Sequence, residues 1–120
     1  PSFSAEERIQ FLKESTAGIE NVEIVSYSGL LAQYCKERKV DAIVKGLRAV
    51  SDFEYEFQQA LTNKRLNPQL ETIFLTAESE SMYLSSSMVR TVASLGGDIS
   101  NFVTEMIHDR IDERIYKKEK

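Results

Sequence analysis

Asp41-Ala42-Ile43-Val44-Lys45-Gly46 is a short apolar run closed by Lys-Gly, the make-up of a central strand buried on both faces of a parallel sheet. Helical patterns flank it. Downstream, the spacing predicts a helix over Asp52 to Leu66, with Phe53, Phe57, Ala60 and Leu61 on one face and Asn67-Pro68 as its end. Thr72-Ile73-Phe74-Leu75-Thr76 reads as the next strand. A polar loop from Ala77 to Ser81 leads to Ser85-Ser86-Ser87, followed by Met88, Val89, Val92 and Leu95 at helical spacing and by Gly96-Gly97 as a stop. A last helix is expected from Thr104 to about Tyr116, ending in Lys117, Lys118 and Lys120, cations that suit its negative end. Upstream, Leu30 to Arg38 reads as a helix, Ser28-Gly29 as a break, and the β-branched run Val22 to Tyr27 as a strand. Before it, Ser4-Ala5-Glu6-Glu7 is a capping box that starts a helix over Ala5 to Ala17, with Gly18 as a left-handed stop.

Helices and strands alternate, so the expected class is α/β with a parallel sheet. Only three strands are legible, and the first helix has no strand before it. Residues 1–120 are therefore expected to be the later part of a single larger domain, N-terminally incomplete. The 15 basic and 19 acidic residues give a net charge of −4, which supplies no basic field for nucleic acid. No apolar run approaches the roughly 18 residues of a membrane span, and no signal peptide is legible, so a cytoplasmic protein with no membrane partner is expected. A lone cysteine, Cys35, excludes an internal disulfide and a cysteine-based metal cluster, and on a helix it reads as a small buried hydrophobe.

Ligands of open parallel sheets bind beyond the carboxyl ends of the strands. Lys45-Gly46-Leu47-Arg48 stands at such a place, with a glycine that lets a backbone approach a ligand and two cations that suit an anion; a solvated strand-end turn is the alternative. Ser85-Ser86-Ser87 offers hydroxyls and amides at a helix start, a phosphate cradle or simply a cap. Together the two segments suggest a polyphosphate ligand. Ser28-Gly29-Leu30-Leu31 could line an apolar slot, although core packing of an amphipathic helix is the leading reading. Asp52, Glu54 and Glu56 lie two apart, off a common face, and most of them are expected to be solvated; Glu56 alone could point back to the cleft. His108 reads as a surface residue, and no nucleophile and base arrangement is visible.

The same segments carry a resemblance. The run Val44 to Glu56, then Asn63-Lys64, Leu70-Glu71-Thr72, Leu84 to Arg90 and Gly96 to Ser100, is similar in order and spacing to bacterial phosphopantetheine adenylyltransferases over essentially all of the chain. The resemblance implies a Rossmann-like nucleotidyltransferase fold and transfer of an adenylyl group from ATP to 4′-phosphopantetheine. The products would be dephospho-coenzyme A and pyrophosphate, in coenzyme A synthesis, with Mg²⁺ and usually in a hexamer. It implies substrate binding by Leu31 and Lys45, and ATP binding by Gly46, Leu47, Arg48, Glu56 and the stretch Ser81, Met82, Tyr83, Leu84, Ser85, Ser86 and Ser87.

Members of the family often carry Arg at the position of Lys45, an aromatic residue at Ser81, an acid at Thr91 and prolines near Phe102 to Glu105. Their Thr/His-x-Gly-His segment has no counterpart in residues 1–120, so no catalytic residue is assigned here and the chain alone is expected to be inactive. Two alternatives remain: a non-catalytic nucleotide-binding or assembly module, and another nucleotidyltransferase acting on a nicotinate nucleotide or a glycerol phosphate.

Overall fold

A computed structural model describes residues 1–78 and 84–117. The chain gathers into two compact units, one of Pro1–Ser26 with Leu84–Lys120, the other of Tyr27–Tyr83.

The helical unit begins with α1, Ala5–Ser15. The capping box forms as the sequence requires: the Glu7 amide donates to Ser4 Oγ and the Ser4 amide to Glu7 Oε1, both at 3.1 Å. Gly18 is not in the left-handed region. Instead Thr16 ends the helix, its hydroxyl donating to the Leu12 carbonyl at 2.7 Å, so no left-handed residue is needed. Later in the chain, α4 (Ser86–Ser94) is capped by Ser85, whose hydroxyl accepts from the Met88 amide at 3.1 Å. Here the glycine stop holds. Gly96 has φ +77, its amide donates to the Ala93 carbonyl, and the Gly97 amide donates to the Val92 carbonyl at 2.8 Å, a Schellman closure. The last helix, α5 (Glu105–Ile111), continues as a π-helix over Asp112–Lys117. Lys118 and Lys120 lie outside the described residues.

Ala93, Ile99, Ile111 and Ile115 are buried together, with Phe3, Val89, Val92, Phe102, Val103 and Ile107 packed around them. Arg114 ties the two ends of this unit: its guanidinium donates to the Ser2 carbonyl at 2.7 Å and to Glu7 Oε2 at 2.8 Å, and lies over the Phe3 ring at 4.8 Å.

The other unit is a βαβ element with one preceding helix. α2 spans Leu31–Glu37, β1 Ala42–Leu47, α3 Val50–Leu66 and β2 Glu71–Thr76. β1 and β2 are parallel, with Val44 opposite Ile73 and Gly46 opposite Leu75, and α3 is the crossover that packs on both. Gly29, with φ +94, makes the break before α2, and Ala32, Cys35, Asn67 and Leu70 are buried.

Three expectations about strands are corrected. Val22 to Tyr27 forms no strand: β1 pairs with β2 alone, and Val22, Val25 and Tyr27 stay 42–47% exposed. A β-branched pattern reports fitness for a pleated surface, and without a ladder there is no strand to form. β1 is not buried on both faces, since Val44 is 60% exposed and its neighbours Ile73 and Leu75 are 48% and 57% exposed. α3 covers the face that carries Ile43 and Phe74, and pleating sends Val44 the other way. Lys45-Gly46-Leu47 is no strand-end turn either. The ladder runs on through Leu47 opposite Thr76, and the Ala77 amide donates to the Leu47 carbonyl at 2.7 Å.

Candidate functional site

Strand alternation sorts the motif. Lys45 and Leu47 share the face packed under α3, whereas Gly46 sits on the exposed face with Val44. The place a Cβ would take on Gly46 is open space, so a ligand could reach this backbone closely. Arg48 follows the last strand residue, and with Ala49 it makes the whole connection to α3. The carboxyl end of β1 and the amino end of α3 therefore meet at Arg48.

On α3, Asp52 and Glu56 are four residues apart and occupy one face. Each takes a cation. Lys45 Nζ lies 3.4 Å from Glu56 Oε2, and Arg48 Nε donates to Asp52 Oδ2 at 3.3 Å. The Arg48 amide also donates to Asp52 Oδ2, at 3.2 Å. These bonds, led by the one from the Arg48 amide, hold the Asp52 carboxyl below the usual range. Side-chain accessibilities of 23–39% make each pair worth at most about 1 kcal/mol. Such pairs do little for the fold; they set where two cations stand. Asp52 thus has a partner that reading the carboxylates two at a time concealed, and the i, i+4 relation to Glu56 was the signal that would have found it.

Of the residues expected to bind substrate or ATP, the structure brings Lys45 and Glu56 together, and Gly46, Leu47 and Arg48 follow Lys45 in sequence. Leu31 is the first residue of α2 in the same unit, partly exposed. Ser85, Ser86 and Ser87 belong to the helical unit: Ser85 is the N-cap of α4, and Ser86 lines a cleft of about 400 Å³ that also has Arg8, Val89 and Arg90 in its wall. Leu84 directly precedes the cap. Ser81, Met82 and Tyr83 lie outside the described residues. Another cleft of this unit, about 510 Å³ and lined by Phe3, Glu7, Phe11, Arg110 and Arg114 among others, has its guanidiniums engaged by Glu7 and Glu14 and holds none of the expected site residues.

Two residues set aside from the sequence stay aside. Cys35 is 3% exposed, and burial pushes its thiol up, away from nucleophilic use. His108 pairs with Asp109, Nδ1 to Oδ1 at 3.0 Å, and that carboxylate holds its pKa above the ordinary value. Among the described residues no cluster of three His, Cys, Asp or Glu side chains could hold a metal ion, and no helix is long and apolar enough to cross a membrane.

Residues 1–92 match the cytidylyltransferase-like family. The whole chain is 52% identical over 117 residues to a phosphopantetheine adenylyltransferase of Caldanaerobacter subterraneus subsp. tengcongensis, an alignment that covers 98% of this chain and 73% of that relative. The chain belongs to the phosphopantetheine adenylyltransferase family. Its parallel βαβ element is accordingly part of a Rossmann-like nucleotidyltransferase fold. For a family of nucleotidyltransferases, a cation-bearing strand end beside a helix start is the chemically expected arrangement, because transferring a nucleotidyl group rests mainly on positioning and neutralising phosphates.

Proposed function

We propose that the protein transfers an adenylyl group from ATP to 4′-phosphopantetheine, giving dephospho-coenzyme A and pyrophosphate, a step of coenzyme A synthesis. The observation that carries this reading is the 52% identity over 98% of the chain to a phosphopantetheine adenylyltransferase. The site geometry supports it. In the reaction, a phosphate oxygen of the acceptor attacks the α-phosphorus of ATP, and the bond from that phosphorus to the pyrophosphate oxygen breaks. Both substrates are anions that repel each other, so the protein has to hold them close and neutralise them.

In this reading Lys45 takes the phosphate of phosphopantetheine and Leu31 packs against its pantetheine arm. Gly46, Leu47, Arg48 and Glu56 hold ATP, together with Leu84 and the hydroxyls of Ser85, Ser86 and Ser87, and with Ser81, Met82 and Tyr83. Lys45 and Glu56, assigned to different substrates, pair with each other at 3.4 Å, so the residues given to the two substrates adjoin. Mg²⁺ enters as the magnesium complex of ATP: the described residues offer no three-ligand cluster, and this ion commonly binds through substrate phosphates with few protein ligands. A cytoplasmic homo-oligomer, a hexamer, belongs to the same reading and is supported by the family resemblance.

Calorimetric titration with a panel of ligands tests it. ATP with Mg²⁺ and phosphopantetheine are expected to give binding heats, whereas nicotinate mononucleotide, glycerol 3-phosphate and CTP are not. Preference for CTP or for glycerol 3-phosphate would assign the chain to another nucleotidyltransferase reaction.

A further inference from the structure

We propose that Asp52 is a positioning residue that presents Arg48 to the nucleotide, an inference that rests on the ATP-binding reading above. A single oxygen of Asp52, Oδ2, accepts from both the main chain and the side chain of Arg48, at 3.2 and 3.3 Å. The backbone bond fixes where residue 48 leaves the strand. The side-chain bond goes to Nε, so it sets the plane of the guanidinium and the direction in which the two terminal nitrogens extend. With only Arg48 and Ala49 between β1 and α3, a carboxylate in the first turn of the helix is within reach of both groups.

An acid at this helix position also has a plain structural use, since a carboxylate near an N-terminus suits the helix dipole. The geometry points beyond that use. Two bonds to Asp52 come from Arg48, one from its main chain and one from its side chain, and an ion pair with side-chain accessibilities of 39% and 29% adds little stability. What the carboxylate supplies is order at a cation that has to meet phosphate. Pre-set orientation matters there because a guanidinium recognises phosphate through a planar, directional fork.

A double-mutant cycle read by calorimetry with ATP and Mg²⁺ tests the proposal on the wild type, D52A, R48A and the double variant. D52A is expected to bind ATP roughly three- to tenfold more weakly, the coupling typical of groups in one network. The double variant should bind no more weakly than R48A, because Asp52 acts only through Arg48. D52N keeps the shape and an acceptor oxygen, so it should fall between wild type and D52A, and it serves where D52A is unstable. Equal losses from D52A in the presence and absence of Arg48, or unchanged affinity in both D52A and D52N, would overturn the proposal. A wild type that gives no heat with ATP would remove the ATP-binding reading and this inference with it; a binding wild type with an additive cycle removes the inference alone.

Discussion

The two units differ in what their side chains are spent on. In the helical unit, Ala93, Ile99, Ile111 and Ile115 close on one another, and Arg114 ties residue 2 and Glu7 to the C-terminal π-helix. In the βαβ unit, one sheet face carries Val44, Ile73 and Leu75 at 48–60% exposure, while Lys45, Arg48, Asp52 and Glu56 gather at the strand and helix ends. The helical unit closes a small apolar core, although Leu12, Ile19, Leu95 and Met106 stay exposed on it. The βαβ unit keeps one apolar sheet face and a group of charged side chains at its surface.

Four substitutions would break or sharpen that contrast. Ile99→Ala removes a side chain with no exposure from the helical core, and about 2–5 kcal/mol of stability should go with it in urea unfolding. The matching change on the open sheet face, Ile73→Ala, should cost less than about 1 kcal/mol, because the side chain is 48% exposed. Equal costs would erase the distinction. Gly96→Ala should cost about 1–2 kcal/mol, since φ is +77 and the new Cβ would stand 2.9 Å from Tyr116 Cε2. Ser85→Ala should cost about 1 kcal/mol through loss of the α4 cap and should also weaken ATP binding, so the two readouts separate capping from ligand contact.

The last prediction is one of pH. Hydrogen bonding from Arg114 comes first among the causes that hold the Glu7 carboxyl at about 2, against an ordinary value of 4.5. A depressed folded-state pKa stabilises fully above the unfolded value and is lost as pH falls through the folded one. This contribution should therefore fade between about pH 4.5 and 2, and an NMR titration of the Glu7 carboxyl should show it. In Arg114→Ala the titration should move up toward the ordinary range; an unmoved titration would mean that Arg114 is not the cause.

Much of this was legible in the sequence where the signal is local. The Ser4 to Glu7 capping box, the Ser85 cap, the Gly29 break and the Gly96-Gly97 stop each depend on residues a few positions apart, and each formed. The crossover from β1 through α3 to β2 was legible for the same reason, since alternating periods mark it. Apart from the Gly18 stop, whose place Thr16 takes, what failed depended on partners distant in the chain. Val22 to Tyr27 has the composition of a strand but no ladder, and Val44 has the pattern of a doubly covered strand with one face open. At the candidate site, Lys45, Arg48 and Glu56 were visible as charges at a strand end. Asp52 was not, because its use comes from the two-residue connection that turns the chain back and brings a helix carboxylate onto the preceding arginine.

The most direct test of nucleotide binding at the β1 to α3 connection is titration of the protein with ATP, with and without Mg²⁺, alongside Arg48→Ala. The expected result is a magnesium-dependent binding heat that weakens by roughly tenfold or more in the variant, with its unfolding transition unchanged, in keeping with loss of a charge-assisted hydrogen bond to phosphate. ATP bound equally well by Arg48→Ala, or not bound by the wild type, would contradict it.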